Sequence, residues 1–189
     1  MCVQPLGVLA AWEVTGVLCM SALSNRNLPG PLPEAIGREA RALMNAGKAY
    51  STLWMPVVNL ARDPRWGRFQ ESISECPVLN AHYVRAFIRG IQGDGPVMKI
   101  AATCKHFYAY SLEDSDGFTR HDFDAVVSER DLRETYLVPF SARVAAGVAS
   151  VMCSYNAVNN LPTCLDGHAQ NGIRRGEFGF DGPIVAAPA

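Results

Sequence analysis

The chain has 189 residues, 49% of them hydrophobic and 19% charged, with 17 Lys plus Arg against 18 Asp plus Glu. That composition supports one globular domain and excludes a disordered chain. The near balance of charge, with no run of like sign, excludes an electrostatic nucleic-acid binder or a ligand of anionic membranes, and leaves a neutral ligand as the better fit.

The apolar stretch 1–23 contains Glu13 and no Lys or Arg. Each uncharged piece is shorter than the ~20 residues that span a bilayer, so no transmembrane helix is expected. No basic start precedes it, so no secretory signal is expected either.

From there a helix is expected over 33–46, with Ala35, Ile36, Ala40, Leu43 and Met44 on one face and Gly47 as its stop. A first strand follows over 53–60, where aromatic Trp54 and β-branched Val57 and Val58 cluster. Pro77 suits the first position of a second helix, along which Leu79, Tyr83, Phe87 and Ile91 recur every four residues before Gly93 ends it. The second strand is expected over 100–107. Ser128 then caps a third helix whose stripe is Leu132, Tyr136 and Phe140, with a kink at Pro139. Strands over 149–155 and 183–187 enclose a weaker helix over 167–178.

Strands alternating with helices long enough for parallel crossovers imply an α/β fold of four successive βα units. Four units do not close an eight-stranded barrel, so periodicity alone favours a small open sheet.

Polar residues gather beyond the C-terminal strand ends, where α/β proteins bind ligands: Asn59, Arg62 and Asp63, then Lys105 and His106, then Tyr155 and Asn156. The loop 62–71 adds three arginines, two carboxylates and Trp66. Two readings stand for it. Its arginines and Trp66 offer a fork of donors and a flat apolar face to a sugar, or its charges form an internal Arg–carboxylate network. His106 likewise reads either as a ligand-binding group or as a packed, hydrogen-bonded core residue.

The six cysteines (Cys2, Cys19, Cys76, Cys104, Cys153, Cys164) include no C-x-x-C pair and no zinc spacing, so no metal site is expected. Cys153 and Cys164 flank a turn-rich segment and are either a disulfide or two buried thiols.

Three segments read together carry a resemblance: Trp54-Met-Pro-Val-Val-Asn-Leu-Ala-Arg-Asp-Pro-Arg-Trp-Gly-Arg68, Cys104-Lys-His-Phe107, and Val151-Met-Cys-Ser-Tyr-Asn-Ala-Val-Asn-Asn-Leu-Pro-Thr-Cys164. In order and spacing they resemble the N-terminal catalytic barrel of family 3 glycoside hydrolases over residues 25–185, leaving 1–23 unmatched and 24–189 as a partial barrel domain. The wording around Tyr108, Arg120 and Tyr155 is more similar to the β-xylosidase and arabinofuranosidase branch than to β-glucosidases.

The resemblance implies part of a TIM-type (β/α)₈ barrel. It also implies removal of terminal β-linked xylose or glucose from an oligosaccharide or aryl glycoside, retention through an aspartate nucleophile and a separate acid/base carboxylate, no cofactor or metal, and an extracellular setting. By that likeness Arg68, Lys105 and His106 hydrogen-bond the terminal sugar, while Met152 and Tyr155 line its subsite.

The sequence departs from the family's pattern where the nucleophile is expected, because Ala187 occupies that position and a methyl group cannot form a glycosyl-enzyme. Barrel strands and the domain carrying the acid/base residue are also unmatched. The resemblance therefore implies a hydrolase fragment inactive by itself, with a sugar-binding pseudoenzyme or a functionless remnant as alternatives. Cys76, where the family has aspartate, is expected to weaken the cap of the following helix.

Overall fold

The computed structural model describes residues 30–186. In chain order its elements are α1 (Pro31–Asn45), β1 (Thr52–Leu53), a short 3₁₀ turn (Phe69–Glu71), α2 (Pro77–Gln92) and β2 (Ala101–Phe107). Then come the short strands β3 (Asp114–Ser115), β4 (Phe118–Thr119) and β5 (Asp124–Ala125). A continuous helical rod follows, made of α3 (Glu129–Asp131), a π turn (Leu132–Tyr136) and α4 (Leu137–Ala145). The rest is β6 (Ser150–Cys153), β7 (Ala157–Val158), β8 (Leu161–Pro162), the wide π-type helix α5 (His168–Glu177) and β9 (Ile184–Val185).

The main sheet runs β1-β2-β6-β9 with every pairing parallel. Each strand neighbours the next one of its βα series, and the order never reverses. That is how consecutive units of a (β/α)₈ barrel are laid down, whereas a doubly wound sheet switches direction. The four described strands form an open sheet, as periodicity favoured, and their spatial order is that of part of a barrel.

The core lies between this sheet and its helices. Ile36 and Ala40 of α1, Val84, Phe87, Ile88 and Ile91 of α2, Ala102 and Cys104 of β2, Phe140 of α4 and Val151 of β6 are all buried in one cluster. The α1–α2 contact depends on backbone closeness, since a Cβ on Gly37 would overlap the Ile91 carbonyl.

The expected first strand over 53–60 is mostly not ladder. Only Thr52 and Leu53 pair with β2, and beyond them a single bridge joins Val57 to Lys105. Pro56 lacks an N–H and leaves a gap there. The expected strand 149–155 shortens to Ser150–Cys153 and the last to Ile184–Val185, Ala187 lying outside the described residues.

Ser128 caps the third helix through a bond from Asp131 N to its Oγ of 3.1 Å. The irregularity expected at Pro139 appears upstream as the π turn Leu132–Tyr136. Pro139 cannot donate to the Thr135 carbonyl, and a wider turn accommodates the missing bond. The α2 cap residue Cys76 makes no side-chain capping bond.

The β3–β4 hairpin is absent from the expected elements, although its Asp116-Gly117 turn, with φ of 54° and 84°, is a hairpin signal. The small β5-β7-β8 sheet is likewise absent from them.

Candidate functional site

The site forms where the loop after β1, the end of β2 and the loop after β6 meet. On β2, register with β6 shifts between Cys104↔Val151 and Phe107↔Cys153, so three steps on one strand face two on the other. Such a bulge re-aims side chains at a strand end, and here it interrupts the alternation that would separate Lys105 from His106.

His106 is 1% exposed. Arg68 reaches it from the loop, its Nη1 3.3 Å from His106 Nε2. The same guanidinium grips Glu71 with two bonds of 2.8 Å, from Nε to Oε1 and from Nη2 to Oε2. Burial works against the Arg68 charge, but its paired bonds to the Glu71 carboxylate outweigh that and raise its pKa. The His106 imidazole is held down to about 2, chiefly by burial and then by the positive charges of Arg68, Lys105 and Arg120. It is a neutral base throughout the physiological range.

Tyr155 closes the cluster. Its ring lies 5.4 Å from that of His106, 5.5 Å from Tyr110 and 5.4 Å from His121. The Arg120 guanidinium stands 4.4 Å over the Tyr155 ring and bonds Glu113 at 2.8 Å, while Tyr110 donates its hydroxyl to the other Glu113 oxygen.

Of the residues singled out in the sequence, the structure brings together Arg68, His106 and Tyr155. Lys105 is half-buried, its charge felt by His106 and its carbonyl accepting from Val58 N at 2.7 Å. Met152 lies buried on β6, in register with Val185. Cys153 and Cys164 form a disulfide with Cα atoms 5.3 Å apart, closing the loop that carries Tyr155.

Trp66 does not offer the flat face considered for it. It is 4% exposed and packs edge-on against Tyr110 at 5.3 Å. In the loop 62–71, Asp63–Arg65 and Arg68–Glu71 are internal pairs, as the network reading expects, and Arg68 also reaches His106. Tyr110, Glu113, Arg120 and His121 were not singled out as site residues. The Asp-Gly turn that folds Arg120 back was the available signal. Among the described residues no group of three or more His, Cys, Asp or Glu is placed to hold a metal ion. No described helix is long and apolar enough to cross a membrane.

Residues 18–187 match the family described as Glycosyl hydrolase family 3 N terminal domain. The chain is 44% identical over 171 residues to Beta-xylosidase/alpha-L-arabinofuranosidase 1 of Medicago sativa subsp. varia, covering 88% of this chain and 22% of that relative. It is 44% identical over 168 residues to Exo-1,4-beta-xylosidase bxlB of Emericella nidulans, with coverage of 88% and 22%. Among solved structures, a GH3 exo-beta-xylosidase (XlnD) in complex with a xylobiose aziridine activity based probe superimposes with a TM-score of 0.86 at 34% identity. That match covers 92% of this chain and 23% of the other. A mutant beta-glucosidase from Listeria innocua in complex with laminaribiose gives a TM-score of 0.80 at 30% identity, covering 92% and 24%. The chain thus spans about a fifth of the length of the curated relatives it matches.

Proposed function

Because the chain belongs to glycosyl hydrolase family 3, we propose that it supplies the sugar-gripping wall of an exo-acting, retaining β-glycosidase that releases terminal β-D-xylose. In this reading Arg68, Lys105 and His106 hydrogen-bond hydroxyls of the terminal sugar, and Met152 and Tyr155 line the same subsite. The observation that carries it is the convergence of Arg68, His106 and Tyr155 at the C-terminal end of a parallel sheet, from three separate segments.

Hydrolysis is proposed for a protein in which this segment is joined by a nucleophile and an acid/base carboxylate. The residue in the nucleophile position by resemblance is Ala187. That identity favours a second reading, in which the chain binds sugar without cleaving it. The Cys153–Cys164 disulfide supports an oxidising, extracellular setting.

The test is a titration of the 189-residue chain with xylose and glucose, read by amide shifts and by melting temperature, beside an aryl β-xyloside assay. Shifts at Arg68, His106 and Tyr155 without aglycone release are expected. No response at high millimolar sugar would remove the binding role, and steady turnover by this chain would remove the second reading.

A further inference from the structure

His106 is held at four points, three of them by one side chain. Asn59 is 4% exposed and sits in the loop after β1, facing the end of β2. Its Nδ2 donates to the His106 carbonyl at 2.8 Å, and its Oδ1 accepts from the His106 backbone N–H at 2.8 Å. The same Oδ1 lies 3.3 Å from the His106 ring Nδ1. On the other side of the ring, Arg68 Nη1 is 3.3 Å from Nε2.

These bonds fix each other's directions. The bond to the His106 carbonyl requires the Asn59 amide nitrogen to point there, because a carbonyl only accepts. The Asn59 oxygen must then be the atom facing Nδ1, and it too only accepts. Nδ1 therefore carries the ring proton. At Nε2 the neighbour is a guanidinium, which only donates, so Nε2 presents its lone pair. Reversing the tautomer would set Nε2–H against Arg68 N–H and the Nδ1 lone pair against the Asn59 oxygen.

We propose that Asn59 is a positioning residue that locks His106 as the neutral Nδ1–H tautomer, so that the site offers a sugar an acceptor at Nε2 beside the Arg68 donors. The consequence is a selectivity rule. A hydroxyl bound there must take the place of the Arg68 Nη1–Nε2 contact, donating its proton to the one Nε2 lone pair and accepting from Arg68, which a free sugar hydroxyl does and a methyl ether cannot. This rule rests on the sugar-binding reading above. The tautomer lock does not.

The experiment separates the two. Long-range ¹H–¹⁵N correlation on the wild-type chain assigns the His106 tautomer without any ligand, and the expected pattern is protonated Nδ1 with a bare Nε2. Asn59→Asp keeps the shape and the accepting oxygen but adds a negative charge and loses the donor to the His106 carbonyl. It is expected to raise the His106 titration midpoint by about 1 to 3 units, the usual effect of an opposite charge in contact. Asn59→Leu is expected to abolish the tautomer preference and to weaken xylose binding at least tenfold.

Because Asn59→Leu also removes two backbone bonds, Asn59→Asp and the wild-type spectrum carry the decision if the leucine variant fails to fold. A wild-type spectrum with protonated Nε2, or an Asn59→Asp chain whose His106 titrates as in the wild type, overturns the lock. The expected tautomer in a chain that binds no xylose keeps the lock and removes the sugar reading. Equal affinity for xylose and its methyl ethers, with the tautomer as expected, overturns the selectivity rule.

Discussion

Opening the Cys153–Cys164 disulfide perturbs stability and the candidate site together. The two cysteines are 11 residues apart. The chain-entropy relation gives about 2.8 kcal/mol of stabilisation for a loop of that length at room temperature. For a domain of this size that corresponds to a fall in melting temperature of roughly 6 to 11 °C. Tyr155, Asn156 and Thr163 lie inside the loop, and Thr163 Oγ1 holds the Ser154 carbonyl at 2.8 Å. Loosening the loop therefore also loosens the ring that packs on His106. The assay is a thermal melt of the wild type with and without reductant, beside Cys153→Ser/Cys164→Ser. The remaining described cysteines, Cys76 and Cys104, are free thiols, so reductant has no second described bridge to break. Equal melting temperatures in all three samples would refute the reasoning, as would a drop with no change in Tyr155 resonances.

Two more perturbations follow from buried charge. The His106 pKa lies near 2 in the fold against an ordinary value of 6.5. Below pH 6.5 the unfolded chain takes up a proton that the fold refuses, so stability is lost as pH falls, by up to about 1.4 kcal/mol per pH unit. Urea midpoints of His106→Gln measured from pH 7 to 4 should fall less steeply than those of the wild type, and parallel slopes would contradict this. Arg143 and Arg174 are both fully buried, with guanidinium nitrogens that find no partner. Each faces the Phe107 ring at 5.2 Å, and burial pulls both pKa values down to about 9. Arg143→Met roughly keeps the volume and removes a buried charge with no carboxylate beside it, at the loss of one bond to the Phe140 carbonyl and the contact over the Phe140 ring. It is therefore expected to leave stability unchanged or raise it by about 1 kcal/mol in urea melts. A destabilised Arg143→Met chain would show that the guanidinium has an anchoring role.

How far the fold could be read depended on which residues carried the pattern. The helices α1 and α2 were legible because Ile36, Ala40, Phe87 and Ile91 repeat at helical spacing and are the residues that fill the core. Strand β2 was legible because Ile100 to Cys104 is a short, largely apolar run that Lys105 and His106 close. Strand β1 was overextended for the same reason, since Val57 and Val58 look like strand while Pro56 quietly removes a ladder donor. The β3–β4 hairpin was hidden because Asp114 and Ser115 carry no apolar alternation, leaving only the Asp-Gly turn to announce it. Arg143 and Arg174 defeat pattern reading outright, since arginine on an amphipathic helix is expected to face water.

The members of the candidate cluster were legible in sequence, but not their states. Sequence pointed to Arg68, His106 and Tyr155 as members of one cluster, and left open whether His106 binds ligand or merely packs. The structure shows the packed, hydrogen-bonded state, and under the proposed reading that packing would set the binding chemistry. Asn59 lies 47 residues from His106 in sequence and holds it by main chain and ring alike. The bonds that bury the imidazole also decide which nitrogen keeps its lone pair. A histidine held this way is a poor proton donor and a fixed acceptor, so its contribution to the proposed subsite is to choose which hydroxyl of a sugar can sit beside Arg68.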